Sequence, residues 1–277
     1  MSGLETEMTI QLPELDTLRL EIIDGDIGVL TIDREDRMNS QTVAMFHEHL
    51  VVARALRDTD LRALIITGAG NKSFCAGFDL DEIDVITTMG VREFLKFQET
   101  ATGGIQALRH LPFPVIAAVN GPATGGGMSL ALAADIRLAA PHAKFSAAFV
   151  KVGLSMGELG TSVNLARLVG PGRAAEIGYT ARIVKADEAE RIGLVNRVVP
   201  RVDLFDEALS LARQIAENSP GGVRMSKRAI QRNGEIGSYA AAIELENRGQ
   251  ALLTRTSDMP EAQQAFKDKR SPQFEGQ

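Results

Sequence analysis

The chain has 277 residues, of which 44% are hydrophobic and 24% are charged. This length exceeds that of a disulfide-stabilised mini-domain and suits one large domain with a core of its own. The net charge is −6, and the chain has no tryptophan and two tyrosines. Nucleic acid is therefore excluded as an expected partner, because its binding needs basic surface and often stacking aromatic rings. The single cysteine, Cys75, allows no internal disulfide.

The N-terminal stretch carries acidic residues and no basic run before an apolar segment, which argues against a signal peptide. The longest apolar runs, such as residues 115–119, are far shorter than the ~20 residues that span a bilayer. We therefore expect a cytoplasmic protein without a membrane segment.

Residues 1–17 are predicted to be a mobile lead-in. Two alternating apolar segments, 18–23 and 27–32, flank Asp24-Gly25-Asp26 and predict a β-hairpin. Apolar residues at helical spacing predict a helix over 40–56 with Ser40 as its N-cap.

Strands and helices then alternate, which favours an α/β fold. The predicted strands are 61–67, 114–119 and 135–139, and the predicted helices are 91–111, which ends before Pro112 and Pro114, and 128–134. After Pro200 only helical patterns follow, over 202–218, 222–232 and 236–253. The sequence thus divides into a lead-in (1–17), a core (18–200) and a C-terminal helical region (201–277).

Gly153-Leu154-Ser155-Met156-Gly157 matches the nucleophile elbow of serine hydrolases. The α/β-hydrolase fold that carries this motif places its catalytic histidine after the serine, whereas all four histidines of this chain precede Ser155. Two of them, His47 and His49, are two residues apart on a helix and therefore point in different directions. We expect them to be surface or helix-face residues, and we expect no metal site.

Two glycine-rich loops, 73–80 and 120–127, each follow a predicted strand. The triple glycine of the second loop opens an apolar helix, where bare backbone N–H groups and the helix dipole suit a phosphate or a developing oxyanion. Taken alone, such a loop is more typical of a tight turn or close helix packing than of an anion site.

Taken together, the two loops resemble those of the crotonase (enoyl-CoA hydratase/isomerase) superfamily. Phe74–Leu80 is similar to its F-x-A-G-x-D-L segment, and Asn120-Gly121 followed by Gly125-Gly126-Gly127 is similar to its second signature. The resemblance continues in order through Asp33-Arg34, Asn39, residues 135–139, 165–170, 189–199 and 265–274.

This resemblance implies a spiral of ββα units with a C-terminal helical region that builds homotrimers, often paired into hexamers. It implies an acyl-CoA thioester as ligand, with coenzyme A as part of the substrate and no separate cofactor. The backbone N–H groups of Phe78 and Gly126 are implied to hold the thioester oxygen. The residues implied to contact coenzyme A are Arg37, Met38, Ala76, Gly77, Asp79, Leu80 and, from a neighbouring subunit, Lys269.

The acid–base residues depart from the family's hydratases, which use two glutamates. The first position is Ser129 here and the second is Phe149. Glu158 lies where some isomerases and dehalogenases of the family place a catalytic aspartate, although the match needs one extra residue after Gly153. The same glutamate also suits a structural role near a helix N-terminus.

A lone carboxylate suits a 1,3-proton shift, with Glu158 moving the proton while Phe78 and Gly126 hold an enolate. Hydration remains open if Ser129 positions a water molecule and Glu158 manages the protons. We therefore expect an enoyl-CoA hydratase or isomerase. The alternatives are a non-catalytic acyl-CoA-binding protein or another crotonase-type reaction.

Overall fold

The computed structural model describes residues 12–276. The strands are β1 (Leu18–Ile23), β2 (Ile27–Ile32), β3 (Ala63–Gly68), β4 (Val115–Val119), β5 (Ala123–Thr124), β6 (Ile136–Ala139), β7 (Lys144–Ser146), β8 (Val184–Lys185) and β9 (Arg197–Val198). The helices are α1 (Val43–Arg57), α2 (Ile83–Thr87), α3 (Val91–Arg109), α4 (Gly126–Ala133), α5 (Thr161–Val169), α6 (Pro171–Thr180), α7 (Ala186–Arg191), α8 (Leu204–Ala216), α9 (Pro220–Asn233), α10 (Tyr239–Leu253) and α11 (Asp258–Asp268). The predicted α/β pattern is confirmed.

The main sheet has the strand order β1-β2-β3-β4-β6-β9. Its first two strands form the predicted antiparallel hairpin, and the positive φ angles of Asp24 (55°) and Gly25 (84°) close the turn. Every later pair of neighbours in this sheet is parallel. Parallel strands are usually buried on both faces, and here both faces are covered.

One face packs against α8, through an apolar cluster that joins Ile65 and Ile116 to Leu204 and Ala208. The opposite face packs against α1, α3, α4 and α5, and alternate residues of the same strands, such as Leu64 and Ile66, point into that larger core. The helices hold the sheet from both sides, so the loops at the strand ends are the variable, accessible part of the molecule.

A second sheet of three short strands, β5-β7-β8, lies beyond the end of β4. Parallel strands β3 and β4 end at the same edge of the main sheet. The two glycine-rich loops, 73–80 and 120–127, follow these two strands. This placement brings both loops to the edge where ligands bind in open α/β sheets.

Two sequence-based expectations about α1 are wrong. Thr42, not Ser40, caps the helix by accepting a hydrogen bond from the Met45 N–H at 3.1 Å, because the hydroxyl of Ser40 is bound to Asp79 Oδ2 at 3.0 Å. His47 is exposed as expected, but His49 is fully buried. Burial lowers the pKa of His49 to about 4, so this imidazole is neutral at pH 7.

The C-terminal helical stretch docks on the core through buried charges. Lys227 on α9 lies 2.8 Å from Asp135 Oδ2 and donates to the Phe113 carbonyl at 2.8 Å. Gln231, one turn later, donates to Asp135 Oδ1 at 3.1 Å. Helix α11 was not anticipated from the sequence.

The predicted lead-in falls mostly outside the described residues, which begin at residue 12. Its end is held in place, because Asp16 N donates to Glu48 Oε1 at 2.8 Å and the Thr17 hydroxyl donates to Glu48 Oε2 at 2.6 Å. Among residues 12–276, no helix is both long and apolar enough to cross a membrane. In the same range, no cluster of three or more His, Cys, Asp or Glu side chains is placed to hold a metal ion.

Candidate active site

Asn120 joins the ends of β3 and β4, where the two glycine-rich loops begin. Its Oδ1 accepts from Gly68 N at 3.2 Å, and its Nδ2 donates to the carbonyls of Gly68 at 2.8 Å and Gly70 at 3.0 Å. A buried amide with both ends paired holds its neighbours firmly. The first loop therefore leaves β3 from a fixed point beside β4.

A single-residue parallel bridge between Cys75 and Ala123 joins the two loops further on. Cys75 N donates to the Pro122 carbonyl at 3.1 Å, and Thr124 N donates to the Cys75 carbonyl at 3.0 Å. Burial raises the pKa of the Cys75 thiol to about 12, which leaves it without nucleophilic thiolate. The expectation that Cys75 is a buried packing residue is confirmed.

A second bridge pairs Phe78 with Gln41, the residue that precedes Thr42. Gln41 N donates to the Gly77 carbonyl at 2.7 Å, and Asp79 N donates to the Gln41 carbonyl at 2.8 Å. In parallel pairing these bonds go to the residues on either side of Phe78. The N–H of Phe78 consequently points away from the backbone of Gln41 and stays free of this ladder.

Gly126 is the first residue of α4, and its amide lies close to the Phe78 segment. A methyl group on Gly77 (φ +98°) would lie 2.9 Å from the Thr124 carbonyl oxygen and 3.8 Å from Gly126 N. Among the described residues, neither Phe78 N nor Gly126 N donates a hydrogen bond. Two neighbouring free amides, one at a helix N-terminus, form an arrangement suited to a developing oxyanion.

The glycines of the second loop are required by close contact rather than by turn geometry alone. A methyl group on Gly126 would lie 2.0 Å from Gln41 Oε1, and one on Gly127 would lie 2.1 Å from the Cys75 carbonyl oxygen. The start of α4 therefore lies so close to its neighbours that a side chain on either glycine would not fit.

Glu158 lies in the segment that leads into α5. Its neighbour Leu159 places Cδ1 3.3 Å from the position of a methyl group on Gly126, so this segment contacts the start of α4. Leu159 has φ +50° and Gly160 has φ +81°. A left-handed leucine is strained backbone, which concentrates at functional sites.

The Glu158 carboxyl is partly buried, and burial raises its pKa above the ordinary range. A hydrogen bond from the Gln98 side chain on α3 works in the opposite direction and favours the charged form. A carboxylate with a raised pKa is a better proton acceptor near neutral pH than an exposed one. Glu158 therefore has the electrostatic environment of a general base, in a segment whose Leu159 contacts Gly126.

The family resemblance matches Ser129 and Phe149 to the two glutamates of the hydratases. The Ser129 hydroxyl is fully buried, lies 2.6 Å from Thr161 Oγ1 and donates to the Gly125 carbonyl at 3.2 Å. Phe149 is buried, and its Cε1 lies 3.9 Å from the position of a methyl group on Gly125. The Ser129 hydroxyl thus links α4 to α5, and neither position carries a carboxylate.

The family model for enoyl-CoA hydratase/isomerase matches residues 23–277. The chain belongs to this family. It is 39% identical over 259 residues to the short-chain-enoyl-CoA hydratase of Clostridium acetobutylicum, covering 93% of this chain and 97% of that protein.

Another relative, the crotonyl-CoA hydratase of Syntrophomonas wolfei, is 39% identical over 249 residues, covering 90% of this chain and 94% of its own length. The crystal structure of an enoyl-CoA hydratase from Bacillus anthracis superposes with a TM-score of 0.89 at 33% identity, covering 95% of this chain and all of that one. These findings confirm the expected superfamily, its fold and an enzyme of the enoyl-CoA hydratase/isomerase type.

Most residues that the family resemblance assigns to coenzyme A lie together at the first loop. Met38 and the adjacent Asn39 both have left-handed backbone, at φ +56° and +55°, and the Met38 carbonyl accepts from Ala76 N at 3.1 Å. Leu80 is exposed and Gly77 is buried. The structure thus brings residues 37–38 next to residues 76–80, although their contact with coenzyme A stays a prediction.

Asp79 differs from the others because it is buried in a network of its own. Arg34 donates to its Oδ2 at 2.9 Å, Arg37 donates to its Oδ1 at 3.5 Å, and Asp81 N donates to Oδ1 at 3.1 Å. Burial alone would raise the pKa of Asp79, but these hydrogen bonds and that from Ser40 outweigh it, and the pKa is lowered. Arg37 also pairs with Asp81. This network braces the loop that carries Phe78.

Lys269 lies apart from this surface, at the C-terminal end of α11, where it has φ +56° and is exposed. The chain by itself does not bring it to the first loop. Its predicted contact with coenzyme A therefore depends on a neighbouring subunit, as the family resemblance implies.

An aromatic cluster lies on the α3 side of the site. Phe46, Phe78 and Phe97 form a cluster with ring centroids about 6 Å apart, stacked for Phe46 with Phe78 and edge-on for Phe97 with each, and Phe94 extends it. The i, i+3 spacing of Phe94 and Phe97 on α3 was the available signal. Nothing in the sequence indicated that Gln98 meets Glu158.

Proposed function

We propose that this chain moves a double bond in an enoyl-CoA thioester, with Glu158 as its single acid–base residue. The observation that carries the proposal is the pair of neighbouring free amides, Phe78 N and Gly126 N, beside a segment that presents a partly buried carboxylate. An enolate formed from a thioester develops its negative charge on the carbonyl oxygen, which is where such amides act.

One carboxylate is enough for both proton transfers of this reaction. The Glu158 carboxylate removes a proton from C2 of a 3-enoyl thioester, and the electron pair moves onto the thioester oxygen held by Phe78 N and Gly126 N. The protonated Glu158 then returns the proton to C4 as the oxyanion collapses, which leaves the 2-enoyl thioester. The proposed reaction needs no resident cofactor, since coenzyme A is part of the substrate.

Hydration is the second candidate, and it is favoured by the names of the relatives, which include a short-chain-enoyl-CoA hydratase and a crotonyl-CoA hydratase at 39% identity. In that reaction a water molecule adds to C3. The family's two-glutamate arrangement is absent at Ser129 and Phe149, so Glu158 would have to manage both protons.

Incubation of trans-2- and trans-3-enoyl-CoA with the protein in deuterated water separates these reactions by mass spectrometry. A moved double bond with deuterium uptake supports isomerisation, and addition of one water supports hydration. Glu158→Gln should lower turnover about 10²–10⁴-fold, whereas the matched control Glu99→Gln, on the exposed face of α3, should not change it. No change in either thioester would contradict both reactions and favour an acyl-CoA-binding protein.

We also infer a homotrimer or a dimer of trimers. The C-terminal helices carry large apolar side chains that are mostly exposed in the single chain, among them Ile230, Leu252 and Phe266, and such surface is typical of subunit interfaces. Light scattering behind a sizing column tests this inference, and a monomer at micromolar concentration would contradict it. The cytoplasmic location stays a prediction.

A further inference from the structure

Gln41 is a fully buried residue whose side-chain amide has no partner. Within residues 12–276, neither its Nε2 nor its Oε1 makes a hydrogen bond. Three other buried polar side chains around the site, those of Asn120, Ser129 and Asp79, are all paired. Buried amides in folded proteins nearly always find partners, so an unpaired one beside a ligand site calls for an explanation.

The position of this amide connects it to the oxyanion site. The Gln41 backbone holds both neighbours of Phe78, through Gly77 O at 2.7 Å and Asp79 N at 2.8 Å. Its side chain reaches the other half of the site, because a methyl group on Gly126 would lie 2.0 Å from Oε1 and 3.2 Å from Cδ. The amide thus contacts Gly126 Cα, which is one covalent bond from Gly126 N.

The remaining neighbour on this side is apolar. Leu159 Cδ1 lies 3.3 Å from the same methyl position, so the leucine and the amide share one face of Gly126. Leu159 has the left-handed backbone that carries Glu158 beside it. Both side chains are buried, so the Gln41 amide beside Gly126 is already removed from water.

We propose that Gln41 is a third donor of the oxyanion site, whose Nε2 binds the thioester oxygen together with Phe78 N and Gly126 N. Since neither end of the amide is paired, no bond within the protein fixes which end faces Gly126, and the donor end is free to turn to the ligand. This inference rests on the proposed function and adds a side-chain donor to a site otherwise built from backbone.

Gln41→Met tests the proposal, because methionine keeps the length and shape of the side chain and removes the donor. We expect kcat to fall about 10²-fold, while the melting temperature stays the same or rises because an unpaired buried amide has been removed. The matched control is Gln231→Met, whose amide is paired with the Arg109 carbonyl and Asp135. It should lower the melting temperature and leave kcat unchanged.

Binding of butyryl-CoA and S-butyl-CoA, which differ by the carbonyl oxygen, gives a readout independent of turnover. Calorimetry should show that the wild type binds butyryl-CoA more tightly than S-butyl-CoA. The ratio of the two dissociation constants should be about fivefold smaller in Gln41→Met and unchanged in Gln231→Met. An unchanged preference in Gln41→Met, or a wild type without any preference, overturns the proposal. A wild type that turns over no enoyl-CoA but shows the Gln41-dependent preference refutes the proposed function and leaves this inference standing.

Discussion

Substitution of Gly127 by alanine tests how closely the two halves of the oxyanion site must pack. The added methyl group would lie 2.1 Å from the Cys75 carbonyl oxygen and 2.7 Å from Cys75 Cβ, whereas Cβ atoms essentially never come closer than 3.0 Å to another heavy atom. The obstruction is backbone, which is also paired with Thr124 N at 3.0 Å, so it has no rotamer to change.

Helix α4 and the Cys75 segment must therefore separate by about 1 Å, and a misplacement of that size in a catalytic site costs on the order of 10²-fold in rate. Overpacking of this kind also destabilises by about 1–3 kcal/mol. That loss exceeds the gain of up to about 1 kcal/mol that alanine brings over glycine inside a helix. Gly127→Ala should consequently be both less active and less stable.

Gly172→Ala is the matched control, because Gly172 is also helical, in α6, and a methyl group there meets nothing within 4 Å. It should raise the free energy of unfolding by about 0.5–1 kcal/mol and leave turnover unchanged. Urea unfolding and the enoyl-CoA assay measure both variants side by side. A Gly127→Ala protein with wild-type stability and turnover would refute the argument that backbone contact sets the position of Gly126.

Three further variants address the side chains of the site. Gln98→Leu removes the hydrogen bond that holds down the pKa of Glu158, so the acidic limb of the kcat/KM–pH profile should move to higher pH, and a limb at unchanged or lower pH would count against Glu158 as the base. Asp79→Asn should lower the free energy of unfolding by about 3 kcal/mol at pH 7. The folded pKa of Asp79 is depressed, so the stabilisation by its carboxylate is present above the ordinary aspartate pKa and is lost as the pH falls through the folded pKa. In urea unfolding at several pH values, the stability difference between Asp79→Asn and wild type should therefore shrink below pH ~4. A stability difference that stays constant with pH would contradict this expectation. Ser129→Ala should lower the free energy of unfolding by about 1 kcal/mol and keep the isomerisation rate within a few-fold of wild type in a direct rate assay. A variant that loses only hydration would show that Ser129 positions the water molecule.

The strands and helices could be predicted from the sequence because their local residue patterns agree with the fold. The hairpin of β1 and β2 follows from alternation around Asp24-Gly25, and its predicted bounds match those observed. The cap of α1 was misplaced because Ser40 and Thr42 have equal capping chemistry, and the choice between them depends on Asp79, which lies far along the chain. Pairing at long range is not visible in a local pattern.

At the site, too, features set by short motifs were predicted and features set by distant residues were not. Phe78 and Gly126 were assigned from short motifs, and the structure brings Gly77, the residue before Phe78, close to Gly126 N. Burial of His49 was missed because its neighbours on α3 are set by packing of Gly104 against α1. The polar environment of Glu158 was missed for the same reason, since Gln98 belongs to another helix.

Two single-residue bridges, Gln41 with Phe78 and Cys75 with Ala123, join three distant stretches of chain at the site. Each bridge closes a loop of several tens of residues, and the entropy of closing such loops must be overcome before their contacts form. The helices and the hairpin can form early from local contacts, whereas the two amides converge only after both loops have closed. Catalytic activity should therefore return last during refolding, behind the recovery of helical circular dichroism, and it reports on completed long-range assembly of the chain.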